Sequence, residues 1–371
     1  MRPLLLVTAI LILGLLCPAV SRATPEFSRR NLLSCNACHA VGSSLNDFGR
    51  AFKANGNRIP RLLPLGDVPL LVRGQSVYTS DPDPTGLPKW ILDEVEALSS
   101  APIGKNLSYG TEFYSLDGGR PGLTREAWLE YRTSDRQAIP FGIRAGLQIL
   151  PLPLDPERFR ESNQHYLAFD QTVGNNTFNF FDPHNAVRFE FGRDAGGIGA
   201  SVLAVSGHDQ QSPLPGDNLD QMVQVQDAHD HSLFTAYRYQ GRRSTGGTDT
   251  FWRDGFSAGY YVSRLWLDAA VQTGNDSNPL GTGAAVLSSG GYLQARYQVG
   301  RHAFAVVRYD SITDTVNGAS RSFTAGGGFS FARSFRLEIE NVTSHQPQTH
   351  NTLSVLLGFG AGTMREGSFA Y

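Results

Sequence analysis

Beyond residue 66 the chain alternates polar and apolar positions in short stretches, each ended by Gly, Asn, Asp or Ser. A period of two puts successive side chains on opposite faces of an extended strand, so each stretch predicts one β-strand. The clearest cover residues 107–116, 128–133, 142–150, 187–191, 202–206, 234–239, 256–262, 265–273, 292–299, 304–309, 323–331, 335–342 and 353–359. A weaker one, Met222-Val223-Gln224-Val225, makes fourteen candidate strands between residues 105 and 360.

The connectors carry a second pattern. Short turns at 134–138, 194–197, 228–230, 263–264, 300–301 and 332–334 alternate with longer loops at 151–184, 207–219, 241–254, 274–290, 310–320 and 343–350. Outer-membrane barrels connect their strands in this way, with short periplasmic turns and longer external loops. The expected fold is therefore mainly β: a transmembrane antiparallel β-barrel over residues 105–371, with a small helical domain before it. Closure follows because lipid cannot satisfy an open sheet edge. A sandwich or propeller is the competing all-β architecture, but no blade-length repeat is visible.

Residues 66–104 are expected to form a linker or plug. Residues 68–79 read either as one more strand or as a crossing of the interior, and 90–98 read as an amphipathic helix, so the strand number lies between fourteen and sixteen. Aromatics near strand ends, among them Phe113, Tyr114, Trp128, Tyr131, Tyr237, Tyr239, Tyr260 and Trp266, are expected to form interfacial girdles.

Composition agrees with a barrel. There are 40 Gly, 22 Phe and 13 Tyr against three Met. After residue 17 no apolar run approaches the roughly 20 residues of a membrane-spanning helix. With 32 basic and 34 acidic residues the net charge is −2. That balance gives no footprint for nucleic acid and no polybasic signal for anionic lipid.

The first 23 residues set the compartment. Arg2, an apolar stretch over 4–17 and the small-x-small site Ser21-Arg22-Ala23 form a secretory signal peptide over residues 1–23. Cys17 leaves with it, so the mature chain has two cysteines, Cys35 and Cys38. Two cysteines cannot staple a chain of this size; their purpose is local.

They stand in the run Cys35-Asn36-Ala37-Cys38-His39. C-x-x-C-H is the attachment pattern for c-type haem: each thiol makes a thioether to a vinyl group, and the adjoining histidine ligates the iron. A zinc site needs about four ligands, and no second Cys pair exists. A thioredoxin-like pair belongs in a βαβ unit, and none is readable here. A plain disulfide remains open.

Residues 24–65 read as a miniature haem domain. Thr24 is an N-cap followed by Pro25 at the first helical position. Ser44-Leu45-Asn46-Asp47 opens a second helix with a capping-box-like pair, and Gly56 closes it. Arg29, Arg30, Arg50 and Lys53 are candidates to neutralise haem propionates, or are simply solvated helix charges. The sixth iron ligand is not evident: one of the eight later His residues, Met222, Met364 and Lys53 are the candidates.

Two flanking stretches, Pro25-Glu26-Phe27-Ser28-Arg29 and Leu45-Asn46-Asp47-Phe48-Gly49-Arg50-Ala51-Phe52-Lys53, enclose the motif. Over these roughly thirty residues the chain resembles the fused monohaem cytochrome–porins of the outer membrane known from iron-oxidising bacteria. It departs from them in two places: their proline shortly after the haem histidine is missing from Ala40 to Ser44, and Ser28 stands where Ala is usual. The resemblance implies an outer-membrane electron-transfer protein, Fe(II) oxidase-like, with one covalent haem c. It would take electrons from an extracellular donor such as Fe(II) and pass them to periplasmic c-type cytochromes. Asp209, Asp217, Asp220, Asp227 and Asp230, with His208, His229 and His231, suit cation attraction, or form an ordinary solvated polar surface. The competing readings are a porin whose haem senses or stabilises, and a secreted β-rich haem protein.

Overall fold

The computed structural model describes residues 39–41, 44–45, 49, 52, 70–80, 89–133, 139–152, 162, 165–192, 197–206, 219–229, 231–244, 246–300, 303–332, 335–346 and 348–362. Two short strands, β1 (His39–Val41) and β2 (Ser44–Leu45), pair as a small hairpin. The chain then builds β3 (Leu71–Thr79), β4 (Lys89–Pro102), β5 (Leu107–Asp117), β6 (Arg120–Pro121), β7 (Thr124–Arg132), β8 (Phe141–Gln148), β9 (His184–Gly192) and β10 (Gly197–Ser206). It continues with β11 (Leu219–His229), β12 (Ser232–Ser244), β13 (Thr248–Val262), β14 (Leu265–Asp276), β15 (Val286–Gln298), β16 (Ala303–Asp314), β17 (Gly318–Ala332), β18 (Phe335–Gln346) and β19 (Gln348–Gly362).

Every strand from β3 onward pairs antiparallel with its neighbours, and β19 returns to β3, so the sheet closes. β6 merely prolongs the β5–β7 hairpin, leaving sixteen staves. A single closed sheet excludes the sandwich and the propeller. All fourteen strands expected from the alternation are present, and β3 and β4 raise the number to sixteen.

Two expectations are corrected here. The barrel begins at Leu71 rather than 105, so most of the expected linker or plug is wall. The expected helix over 90–98 is part of β4. Its cause is a bulge: Gln75 faces Glu94 and Ser76 faces Leu92, which leaves Asp93 as an extra residue. An extra residue shifts the phase of the alternation, and Ile91, Leu92, Val95 and Leu98 then fall at helix-like spacing.

The faces of the barrel are inverted relative to a water-soluble protein. Outward positions are apolar and exposed, among them Phe113, Leu129, Phe256, Phe323, Val271 and Leu293, the last two 60% exposed. Inward positions include buried Glu130, Gln224, Arg253, Asp268, Arg296 and Arg308. A continuous apolar belt of this size around a closed sheet is stable only in lipid. The girdle expectation holds for part of its set. Phe113, Tyr131 and Tyr260 face outward, whereas Tyr114, Trp128, Tyr237, Tyr239 and Trp266 are buried. Several inward aromatics cover glycines: a Cβ on Gly110 would lie 2.3 Å from Trp128 of the facing strand. At the closing seam, on the outer face, the exposed Phe359 of β19 lies over Gly74 of β3.

Both ends of the sheet, Leu71 and Gly362, lie at one rim. In the turn at Ser263-Arg264 on that rim, Ser263 adopts a positive φ of 55°. At the opposite rim the loops expected over 241–254, 310–320 and 343–350 are largely strand, because β12, β13 and β16 to β19 run past the apolar belt. Their outward residues there are polar, which reads as loop in a hydropathy pattern although the backbone pairing continues.

Candidate functional site

Of the haem motif, Cys35 and Cys38 lie outside the described residues, and His39 is described as backbone only. His39 opens β1, whose residues pair with Leu45 and Ser44 across a connection at Gly42-Ser43. This hairpin lies against β15. The second helix was expected to start at Ser44, but Ser44 and Leu45 are extended, and helix is described at Gly49 and Phe52, both buried. Gly and Ser in the connection favour a turn, and the hairpin takes the backbone groups that the capping box would have used. The helix start at Thr24 and the C-cap at Gly56 lie outside the described residues.

The lumen is the other half of the site. The external loop expected over 151–184 turns inward at its described residues instead. Leu150, Leu152, Tyr166, Phe169, Phe178, Phe180 and Phe181 form one buried cluster with inward residues of the wall, including Leu203, Met222, Tyr237, Tyr239, Phe251 and Tyr292. Phe178 stacks on Tyr239 at 4.2 Å between ring centroids, and Tyr166 meets Tyr292 at 4.4 Å. A solvated loop has no reason to carry this density of aromatics; that was the legible signal.

Polar clasps hold the loop to the wall. Tyr166 donates to Gln294 Oε1 at 3.1 Å, and burial raises its hydroxyl to about 12, which keeps the proton in place. Arg308 donates to the His165 carbonyl at 3.2 Å, and its guanidinium lies 4.2 Å from the Tyr166 ring. Gln272 donates to the Ala168 carbonyl at 2.9 Å, and Arg125 to the Phe181 carbonyl at 3.0 Å. The Asn176 amide donates to Asp249 at 3.1 Å and to Asp276 at 2.7 Å, and Arg253 also donates to Asp276. The loop is thus tied to β7 and to β13 through β16.

Other inward charges pair along the wall. Arg132 reaches Glu190 at 2.6 Å, Arg144 binds Glu130, and Arg73 binds Glu96. The first two are desolvated pairs, where loss of one partner is costly, whereas Arg73 is 40% exposed.

The acidic and histidine residues expected to attract cations are not brought together. Asp220 is buried near the loop rim, where it accepts hydrogen bonds from Tyr239 at 2.6 Å and Arg243 at 2.7 Å. Asp227 and His229 lie 3.0 Å apart at the far end of β11, about 23 Å away along the strand. Asp209, Asp217, Asp230 and His208 lie outside the described residues. Among the described residues no cluster of three or more His, Cys, Asp and Glu side chains could hold a metal ion. Of the candidate sixth ligands, Met222 is packed in the aromatic cluster, His184 is buried with Nε2 3.2 Å from the Asn179 carbonyl, and His165 stacks on Phe181. Met364, Lys53 and His302 lie outside the described residues.

No family model matches the chain, and no curated protein matches it. Solved structures do. An anion-selective porin from Comamonas acidovorans matches with a TM-score of 0.61 at 12% identity, over 80% of this chain and 99% of that one. Salmonella typhi OmpF in complex with daunomycin matches with a TM-score of 0.58 at 12% identity, over 80% and 97%. A loop-deletion mutant of OmpT, an outer membrane protein of Vibrio cholerae, matches with a TM-score of 0.57 at 11% identity, over 80% and 100%. At these identities the likeness is one of fold. Together with the closed sheet and its apolar belt, it makes the chain a sixteen-stranded porin-like barrel of the bacterial outer membrane.

Proposed function

We infer that this chain carries electrons across the outer membrane by one c-type haem, attached at Cys35 and Cys38, ligated by His39, and held in or under the barrel. The observation that carries the reading is the Cys35-Asn36-Ala37-Cys38-His39 run on an exported chain. The donor set fits the group: two thiols two residues apart match the two vinyl positions, and the adjoining imidazole suits iron. When bound, the haem supplies a one-electron site whose potential follows its axial ligands, hydrogen bonds and burial. The chain's own residues supply the rest. The sixteen staves hold lipid away from the interior. The internal loop, clasped by Asn176, Tyr166 and Arg308, narrows the lumen, so the barrel acts as a sheath. The electron donor is an extracellular reductant such as Fe(II), and the acceptors are periplasmic c-type cytochromes.

A second reading, a porin whose haem is sensory or structural, is favoured by the porin-like fold and the charged inner wall. One experiment separates them. The purified, matured protein is titrated with Fe(II) while its absorption spectrum is recorded, and solute leakage is measured in vesicles. Reduction of a haem band by Fe(II), with leakage unchanged in Cys35→Ala, supports conduction. A haem that Fe(II) leaves oxidised, in a barrel that leaks solute, supports the porin. A protein without a haem band ends both.

A further inference from the structure

We propose that the outer face of β10 to β13 holds one lipid A molecule of the outer leaflet, with a phosphate on Arg238 and Arg242 and an acyl chain over Ala236. The site faces lipid rather than the lumen, and it is independent of any haem.

The outward row of β12 is Phe234, Ala236, Arg238, Gln240 and Arg242, and that of β13 is Tyr260, Ala258, Phe256, Asp254, Trp252 and Thr250. The apolar run ends at one level on both strands, because Ala236 is the direct partner of Phe256, and Arg238 of Asp254. On β14 the matching step is from Val271 to Thr273. This end of the run lies away from the short turn between His229 and Ser232, so it marks the external interface. Trp252 stands just beyond it, and an indole suits that boundary.

Two hollows lie along this stretch of wall. The lower, about 200 Å³, is lined by Ile198, Val225, Phe234, Ala236 and Phe256, with Asp227 at its foot. Asp227 is 3.0 Å from His229. Ala236 pairs with Val225 on one side and Phe256 on the other; a methyl among larger groups leaves room for a hydrocarbon chain. The upper hollow, about 380 Å³, is lined by Arg238, Gln240, Gly241, Thr250, Phe251 and Trp252. Arg238 is about 7 Å beyond Ala236 along the strand.

The upper hollow is fitted for an anion. The Arg238 guanidinium lies 5.4 Å from the Trp252 ring and donates to Asp254 at 3.3 Å. That contact engages one N–H of five, and the side chain is 51% exposed. Arg242, also exposed, donates to Thr248 Oγ1 at 3.4 Å. Arginine forks match phosphate oxygens. The occupant is therefore apolar below and phosphorylated above, with its head toward the outside. In a bacterial outer membrane that lipid is lipid A, a phosphorylated diglucosamine bearing several acyl chains.

The test uses the full mature protein purified in detergent. It is titrated with diphosphoryl lipid A, with the same lipid stripped of its phosphates, and with phosphatidylglycerol, and bound lipid is counted by native mass spectrometry. One diphosphoryl lipid A per barrel is expected. Arg238→Gln with Arg242→Gln should weaken it roughly tenfold or more and leave the stripped lipid unchanged. Asp254→Asn leaves Arg238 to the phosphate and should tighten binding about threefold. Ala236→Phe fills the lower hollow and should weaken both forms of the lipid alike. If the double glutamine variant gives no heat-modifiable barrel, the sign of the Asp254→Asn effect decides. Retention indifferent to the phosphates, or to the two arginines, overturns the site. Phosphatidylglycerol held as tightly, with the same dependence on Arg238 and Arg242, overturns the choice of lipid A.

Discussion

The inner wall has two unlike halves. From β9 to β15 it presents Leu203, Met222, Tyr237, Tyr239, Phe251 and Tyr292 to the internal loop, and the two surfaces bury one another. From β18 round to β7 it presents carboxylates. The first half is stabilised by apolar burial between these wall residues and the described loop residues such as Tyr166, Phe169 and Phe178, at about 25 cal/mol per Å². The second half cannot be buried on such terms, because each desolvated carboxylate requires a cation or a donor. One barrel therefore contains an aromatic wall packed by its own loop and an acidic wall whose carboxylates are held by ion pairs and hydrogen bonds, as where Arg73 binds Glu96 and Arg336 binds Glu338.

The predictions test that contrast, beginning with the largest effect. Replacing Cys35 and Cys38 by Ala should abolish the covalently held haem band entirely, while heat-modifiable migration of the barrel persists; if migration is lost too, the haem is part of the fold. Tyr239→Ala empties the centre of the aromatic half and removes a donor to Asp220. It should cost about 3–5 kcal/mol, seen as a lower urea midpoint, and should raise the conductance of the barrel in planar bilayers. Leu293→Arg, on the lipid face, should cost about 2–4 kcal/mol near the bilayer midplane, read as a shifted folding equilibrium into vesicles. Asn176→Ala leaves Asp249 and Asp276 without their shared amide. It should cost about 1–3 kcal/mol and open the loop without unfolding the barrel, which noisier conductance would report. Val316→Ser, on an exposed hairpin tip, should change the urea midpoint by no more than about 0.5 kcal/mol.

The alternation of side chains was enough to find β5 and β7 through β19, because one face of each meets lipid and the other the lumen. It failed where backbone geometry changed the phase. Asp93, inserted as a bulge, made β4 look helical. It failed again at the loop expected over 151–184, since Phe169, Phe178 and Phe180 were read as part of an external loop by position and not by composition. The hairpin at β1 and β2 is a third case: Ser44 and Asp47 suit a helix cap, yet the Ser44–Leu45 backbone pairs with β1.

The amino-acid sequence by itself determined the Cys35–Cys38–His39 spacing, the antiparallel barrel and most of its staves, because each is written in local spacing. Only the tertiary structure decided that β3 and β4 complete the wall at sixteen staves, that the long loop turns inward, and that Glu112 faces Glu126 across two strands. Those outcomes depend on which distant residues meet when the sheet closes, and closure is a property of the whole ring, set by register and bulges rather than by any one segment.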